Sequence, residues 1–139
     1  MLADDDESVR KLVGRVLESA GYAVVQAATG SEAASKLAAS RPDLLVLELQ
    51  MPDQAGWDAF DSVRRLDSLI PVIAITAWPN QAREASRRGI CTLIEKPLDL
   101  PFLLASIKKL LSESEPRREE RRLHRKAKPT PSLAHSSGV

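Results

Sequence analysis

The chain has 139 residues, 43% of them hydrophobic, with a formal net charge of +1 and one cysteine. That length supports one domain with a real core. No apolar run approaches the roughly 20 residues of a helical membrane span, the acidic start Asp4-Asp5-Asp6-Glu7 is not the pattern of a secretory signal, and the single Cys91 excludes an intramolecular disulfide. A cytoplasmic location with no membrane contact is therefore expected. The near-zero charge hides an asymmetry, because residues 1–115 hold 13 Lys/Arg against 17 Asp/Glu while residues 116–139 hold 7 against 2.

Met1-Leu2-Ala3 reads as a first strand, but three residues are fewer than the usual five or so. The chain is expected to begin upstream, since the strand order inferred below makes this strand central. Val9, Leu12, Val13, Val16 and Leu17 have helical spacing, with Gly21 as the stop. Ala23-Val24-Val25 follows as a strand. Thr29 and Glu32 have capping-box spacing ahead of a helix carrying Ala34, Leu37 and Ala38. Leu44-Leu45-Val46-Leu47 is continuously apolar, as a strand covered on both faces must be. Phe60, Val63 and Leu66 resume helical spacing, and Val72-Ile73-Ala74-Ile75 is a second buried strand. A weak helix rich in Ala and Arg is predicted from Asn80 to Arg88, stopped by Gly89. Thr92-Leu93-Ile94 is the last strand, and Leu103, Leu104, Ile107, Leu110 and Leu111 mark the last helix. Strands alternating with helices predict an α/β fold with a parallel sheet covered on both faces. After Ser114 the pattern dissolves. The division expected is a domain over residues 1–114 and a basic, disordered tail over 115–139.

Four polar signals end four of these strands. In a parallel sheet such ends line one crevice, where ligands bind. Asp4 and Asp5 follow the first strand. Adjacent carboxylates there suit a hard cation such as Mg²⁺, and equally suit helix capping. Capping is the reading for Asp6 and Glu7. Glu48 ends a buried strand, so its charge needs a cation or donors. Thr76-Ala77 brings a hydroxyl and a small neighbour; alone, a strand threonine is unremarkable. Lys96-Pro97 brings an ammonium; alone, it reads as a surface lysine before a turn. Together and in this order they describe a pocket for a cation and a phosphoryl-like group.

The stretches Asp4-Asp5-Asp6-Glu7-Ser8-Val9-Arg10, Leu45 to Pro52 with Gly56, Ile75-Thr76-Ala77 and Glu95-Lys96-Pro97 resemble the receiver domain of two-component response regulators. The resemblance covers roughly residues 1 to 113. It implies a flavodoxin-like, doubly wound sheet of five parallel strands in the order 2-1-3-4-5. It further implies Mg²⁺ bound by Asp4, Asp5 and the Gln50 carbonyl, with the acid at position 48 completing the site. Thr76 matches the switch hydroxyl and Lys96 the lysine that contacts the phosphoryl group, with Lys96–Pro97 cis.

Two positions depart from that pattern. Glu48 stands where the family has its phospho-accepting aspartate. Its extra methylene sends the carboxylate farther toward Thr76 and Lys96, so it is expected to accept phosphate poorly, to pair with Lys96 and to imitate the phosphorylated state in part. Leu93 stands where an aromatic rotamer switch is common. The expectation is thus an atypical, non-enzymatic signalling module that works by protein–protein contact. Its partners would be a histidine kinase or phosphotransfer protein and a downstream target on the face of the fourth helix, last strand and last helix. Competing readings are a conventional phosphorylatable receiver, a small Mg²⁺-dependent phosphotransferase or phosphatase, and nucleic-acid association through the basic tail. The last two lack support: there is no Gly-rich phosphate loop and no stacking platform. Trp57 and Trp78 flank the crevice loops, Cys91 is expected to be buried, and His124 and His135 carry no assigned role.

Overall fold

The computed structural model describes residues 1–53 and 57–113 together with Pro116, Glu119 and Leu123. Two apolar runs form its middle, because only a strand shielded on both faces can be wholly apolar. They are β3 (Leu45–Glu48) and β4 (Val72–Thr76), and every residue in both is buried. The remaining strands are β1 (Leu2–Ala3), β2 (Gln26–Ala27) and β5 (Thr92–Glu95), and the helices are α1 (Glu7–Ser19), α2 (Gly30–Ser40), α3 (Asp58–Leu66), α4 (Ala82–Arg87) and α5 (Leu100–Glu113). All pairings are parallel and the strand order is β2-β1-β3-β4-β5. This is the flavodoxin-like order expected.

Alternate residues of the strands feed two cores. Leu45, Leu47, Val72 and Ala74 pack with Leu37, Phe60, Val63 and Ala85 of α2, α3 and α4. Val46, Ile73 and Ile75 pack with Val13 and Leu17 of α1 and Leu103 and Ile107 of α5. Burying each such large side chain contributes about 1.5–3 kcal/mol. Local chemistry sets the helix starts: Asp6 Oδ1 accepts from Val9 N at 3.1 Å, Thr29 Oγ1 from Glu32 N at 3.0 Å and Asp99 Oδ1 from Phe102 N at 3.0 Å. Gly21 and Gly89 end α1 and α4 with φ of 95° and 86°, which glycine adopts without steric cost.

Three sequence expectations need correction. The second strand pairs at Gln26–Ala27 and not at Ala23-Val24-Val25. Its partner β1 is two residues long, and the register sets Leu2 opposite Gln26, so only Val25 still reaches it, accepting from Leu2 N at 2.8 Å. The fourth helix begins at Ala82 because Asn80 lies in the left-handed region at φ 62°. Cys91 is exposed; it enters the edge strand β5, where no further strand covers it. Of the predicted tail, Pro116, Glu119 and Leu123 have helical backbone, and the rest of residues 114–139, with both histidines, lies outside the described residues.

At the sheet's opposite end an open pocket of about 470 Å³ is lined by Met1, Val24, Val25, Leu44 and Ile107 among others. The Met1 ammonium donates to Leu44 O at 2.8 Å. Burial lowers its pKa from 8.0 to about 6, against the pull of Asp43. Between those values the unfolded chain holds a proton that the folded chain lacks, so stability rises with pH. In a chain made to begin at Met1, urea unfolding is expected to gain about 2 kcal/mol from pH 6 to pH 8 through this group, and N-terminal acetylation should flatten the gain. Equal slopes with and without the acetyl group would count against this.

Candidate functional site

Parallel register brings the strand ends level: Ala3 lies opposite Leu47, Glu48 opposite Ile75 and Thr76 opposite Glu95. The residues that follow or end these strands therefore meet on one edge. Asp4, Glu48 and Thr76 are each at most 1% exposed, and with Ser106 they are the buried polar residues among those described. Asp5 is exposed, and Gln50 and Lys96 are half-buried.

Lys96 Nζ stands 2.9 Å from Glu48 Oε2, an ion pair by distance whose alignment falls short of a hydrogen bond, so that Oε2 is a buried oxygen held by charge. Glu48 Oε1 accepts from the Gln50 backbone N at 3.2 Å. Burial raises the Glu48 pKa, and the lysine and the Gln50 amide offset only part of that rise. Burial also works against the Lys96 ammonium, but its pairing with Glu48 and the charges of Glu48, Asp4 and Asp5 outweigh it and lift its pKa. Asp4 Oδ1 accepts from Asp6 N at 2.9 Å, whereas Asp4 Oδ2 is buried with no hydrogen-bond partner among the described residues. Burial raises the pKa of Asp4 as well, opposed by its bond from Asp6 and by Lys96. Thr76 Oγ1 accepts from Trp78 N at 3.0 Å, leaving its own hydrogen free to donate. The backbone N of Lys96 donates to Thr76 O at 2.9 Å, and the Lys96–Pro97 bond is cis.

Sequence reasoning missed three features. The Gln50 side chain reaches from the end of β3 to the residue after β4, its Oε1 accepting from Ala77 N at 3.0 Å. Asp53 clasps the start of α2, where Oδ1 accepts from Gly30 N at 2.8 Å and Oδ2 accepts from Ser31 N at 2.9 Å and Ser31 Oγ at 2.7 Å. The α3–α4 join is held by arginines: Arg88 bonds Glu84 at 2.6 Å and Asp61 at 3.1 Å and lies 5.0 Å from the centre of the Trp57 ring, while Arg64 donates to Ile70 O and Gly89 O. The sequence marks each of these only as a polar residue.

The Asp53 bonds draw its pKa from 3.8 down to about 2, chiefly through Ser31. A depressed carboxylate stabilises the fold above its unfolded pKa and loses that contribution as pH falls through the folded one. Asp53→Ala is expected to unfold at lower urea than the wild type at pH 6, with the gap closing as pH drops from about 4 toward 2. A gap that persists at pH 2 would show that the carboxylate charge is not responsible.

Residues 1–108 match the family model of the response regulator receiver domain. The chain belongs to the receiver family of two-component signalling. It is 32% identical over 118 residues to the polar-differentiation response regulator DivK of Brucella anthropi, covering 82% of this chain and 96% of DivK. It is 33% identical over 123 residues to the transcriptional regulatory protein GlrR of Escherichia coli K12, covering 87% of this chain and only 28% of that larger protein. Among solved structures it resembles a CheY-like receiver domain protein from Methanospirillum hungatei, with a TM-score of 0.77 at 26% identity over 84% of this chain and 94% of that one. Within this receiver fold Asp4, Glu48, Thr76 and Lys96 lie at the C-terminal ends of β1, β3, β4 and β5. Among the described residues no helix is long and apolar enough to cross a membrane.

Proposed function

We propose that this receiver domain is an atypical member of a phosphorelay, whose pocket is held by Glu48 and Lys96 in place of a phosphoryl group. The single observation behind this is the 2.9 Å Glu48–Lys96 contact on a fully buried acid. The lysine that would neutralise an incoming phosphoryl group is already neutralising a carboxylate. Output is then by protein–protein contact, with a histidine kinase or phosphotransfer protein on one side and a downstream protein on the α4–β5–α5 face. The domain is not an enzyme in this reading, it acts in the cytoplasm, and residues 115–139 form a basic segment apart from the receiver unit.

The oxygen donors suit a hard divalent cation at one end of the pocket. Asp4 Oδ2 has no hydrogen-bond partner among the described residues, and such a buried oxygen is what Mg²⁺ would satisfy. Asp4, Asp5 and the Gln50 carbonyl would hold the ion, with Glu48 contributing only where it leaves Lys96. The ion would supply charge neutralisation.

The test is incubation of the intact chain with acetyl phosphate and Mg²⁺, followed by mass measurement. The expected result is no phosphoryl adduct on Glu48. A stoichiometric adduct localised there would establish a conventional receiver instead.

A further inference from the structure

We infer that Gln50 is a built-in stopper for the pocket: its carboxamide oxygen takes the seat on the Ala77 N–H that an oxyanion would otherwise use. This rests on the reading of the pocket as a place for a phosphoryl-like oxyanion.

Three donors lie at the adjoining ends of β4 and β5: the Lys96 ammonium, the Thr76 hydroxyl and the amide of Ala77, the residue that follows Thr76. Lys96 is engaged by Glu48 at 2.9 Å. The Ala77 amide is engaged by Gln50 Oε1 at 3.0 Å, across 27 positions of sequence. Only the oxygen of the carboxamide can accept there, so the bond fixes which way the amide points. The backbone N of the same residue donates to Glu48 Oε1 at 3.2 Å. Gln50 therefore ties the acid to the β4–α4 loop with two bonds. The chain Lys96–Glu48–Gln50–Ala77 links the ends of β5, β3 and β4 without any added ligand.

The arrangement has a cost for any oxyanion. It must displace an uncharged amide oxygen that is already within hydrogen-bond distance, and the displaced carboxamide must find water. A hydrogen bond to a charged acceptor is worth more than one to a neutral amide, so the stopper weakens oxyanion binding without abolishing it. Gln50 is thus a specificity-determining residue that acts on the pocket through the Ala77 donor. Its length is part of the device, because the side chain of asparagine is one methylene shorter and would not span the same gap.

The experiment compares the wild type with Gln50→Ala, Gln50→Asn and Gln50→Glu by NMR. Amide hydrogen exchange is read at Ala77 and, as an internal reference, at Leu49, whose N donates to Ile75 O at 2.9 Å one step below the pocket. Inorganic phosphate is then titrated while the Ala77 amide shift is followed. Ala77 exchange is expected to speed up about tenfold in the alanine and asparagine variants, matching the loss of one net hydrogen bond. The Leu49 rate should stay put. The glutamate variant should keep Ala77 protected, since it retains an acceptor of the same reach. Phosphate should bind the alanine variant about tenfold more tightly than the wild type. The glutamate variant should gain no such affinity. Equal Ala77 exchange in wild type and Gln50→Ala, equal phosphate affinity in the two, or a rise shared by Leu49 would each overturn the inference. A phosphoryl adduct on Glu48 would remove the proposed function and leave these readouts standing, so the two can fail separately.

Discussion

Glu48→Asp is expected to gain one phosphoryl group per chain in acetyl phosphate and Mg²⁺, where the wild type gains none. The surrounding parts remain in place: Lys96 beside the acid, a buried Thr76 with a free hydroxyl hydrogen, and an Asp4 oxygen with no hydrogen-bond partner among the described residues. What differs is the position of the nucleophilic oxygen. One methylene displaces it by more than the roughly 1 Å that can cost about 100-fold in an oriented transfer. Shortening the side chain should therefore raise the labelling rate by on the order of 100-fold or more. Aspartate would also draw back from Lys96 and release the ammonium for the phosphoryl oxygens. Intact-mass measurement over time reads both proteins in one experiment, and identical labelling curves would refute the geometric account.

Lys96→Met is expected to carry the largest stability loss of any single change in the pocket. It leaves the Glu48 carboxylate buried with the Gln50 amide as its remaining donor. Breaking a buried ion pair in this way costs about 3–5 kcal/mol, because the partner is left uncompensated. Lys96 retains 29% side-chain exposure, so water relieves part of this and about 2–3 kcal/mol at pH 8 is expected. The pH dependence identifies the cause. Without the lysine the folded-state pKa of Glu48 moves further above 4.5, its ordinary value. The folded chain then binds a proton that the unfolded chain does not, and stability recovers as pH falls toward that raised pKa. Urea unfolding at pH 5 and pH 8 should show a smaller deficit at pH 5, and adding Glu48→Gln should recover most of the deficit at pH 8. An equal deficit at both pH values would point to lost packing of the lysine stem.

The parts of this molecule that were legible in the sequence share one physical origin. β3 and β4 are buried on both faces, so composition alone marks them, and the βα alternation then fixes a parallel sheet. The strand ends carry their polar residues one after another, so the pocket could be assembled from four local signals. What was not legible depends on partners far away in the chain. The pairing of β2 is set by how far β1 extends, not by where Val24 and Val25 are most apolar. The start of α4 depends on the backbone at Asn80, and the exposure of Cys91 on its place at an edge. Gln50 and Asp53 reach across 27 and 22 positions, and no spacing rule connects a glutamine to a backbone amide in another loop. The same limit explains why α4 read as loosely anchored. Its hold comes from Arg88 and Arg64, which a hydrophobic pattern cannot register.

The arginine over Trp57 gives the protein an optical gauge of its own. An indole face that carries a guanidinium 5.0 Å away loses that cation as soon as α4 swings out, and its emission must respond to the change in local field. In a Trp78→Phe background the remaining tryptophan would report helix movement in real time, with no attached dye, whether the cause is a partner, an anion or a changed acid at the strand ends.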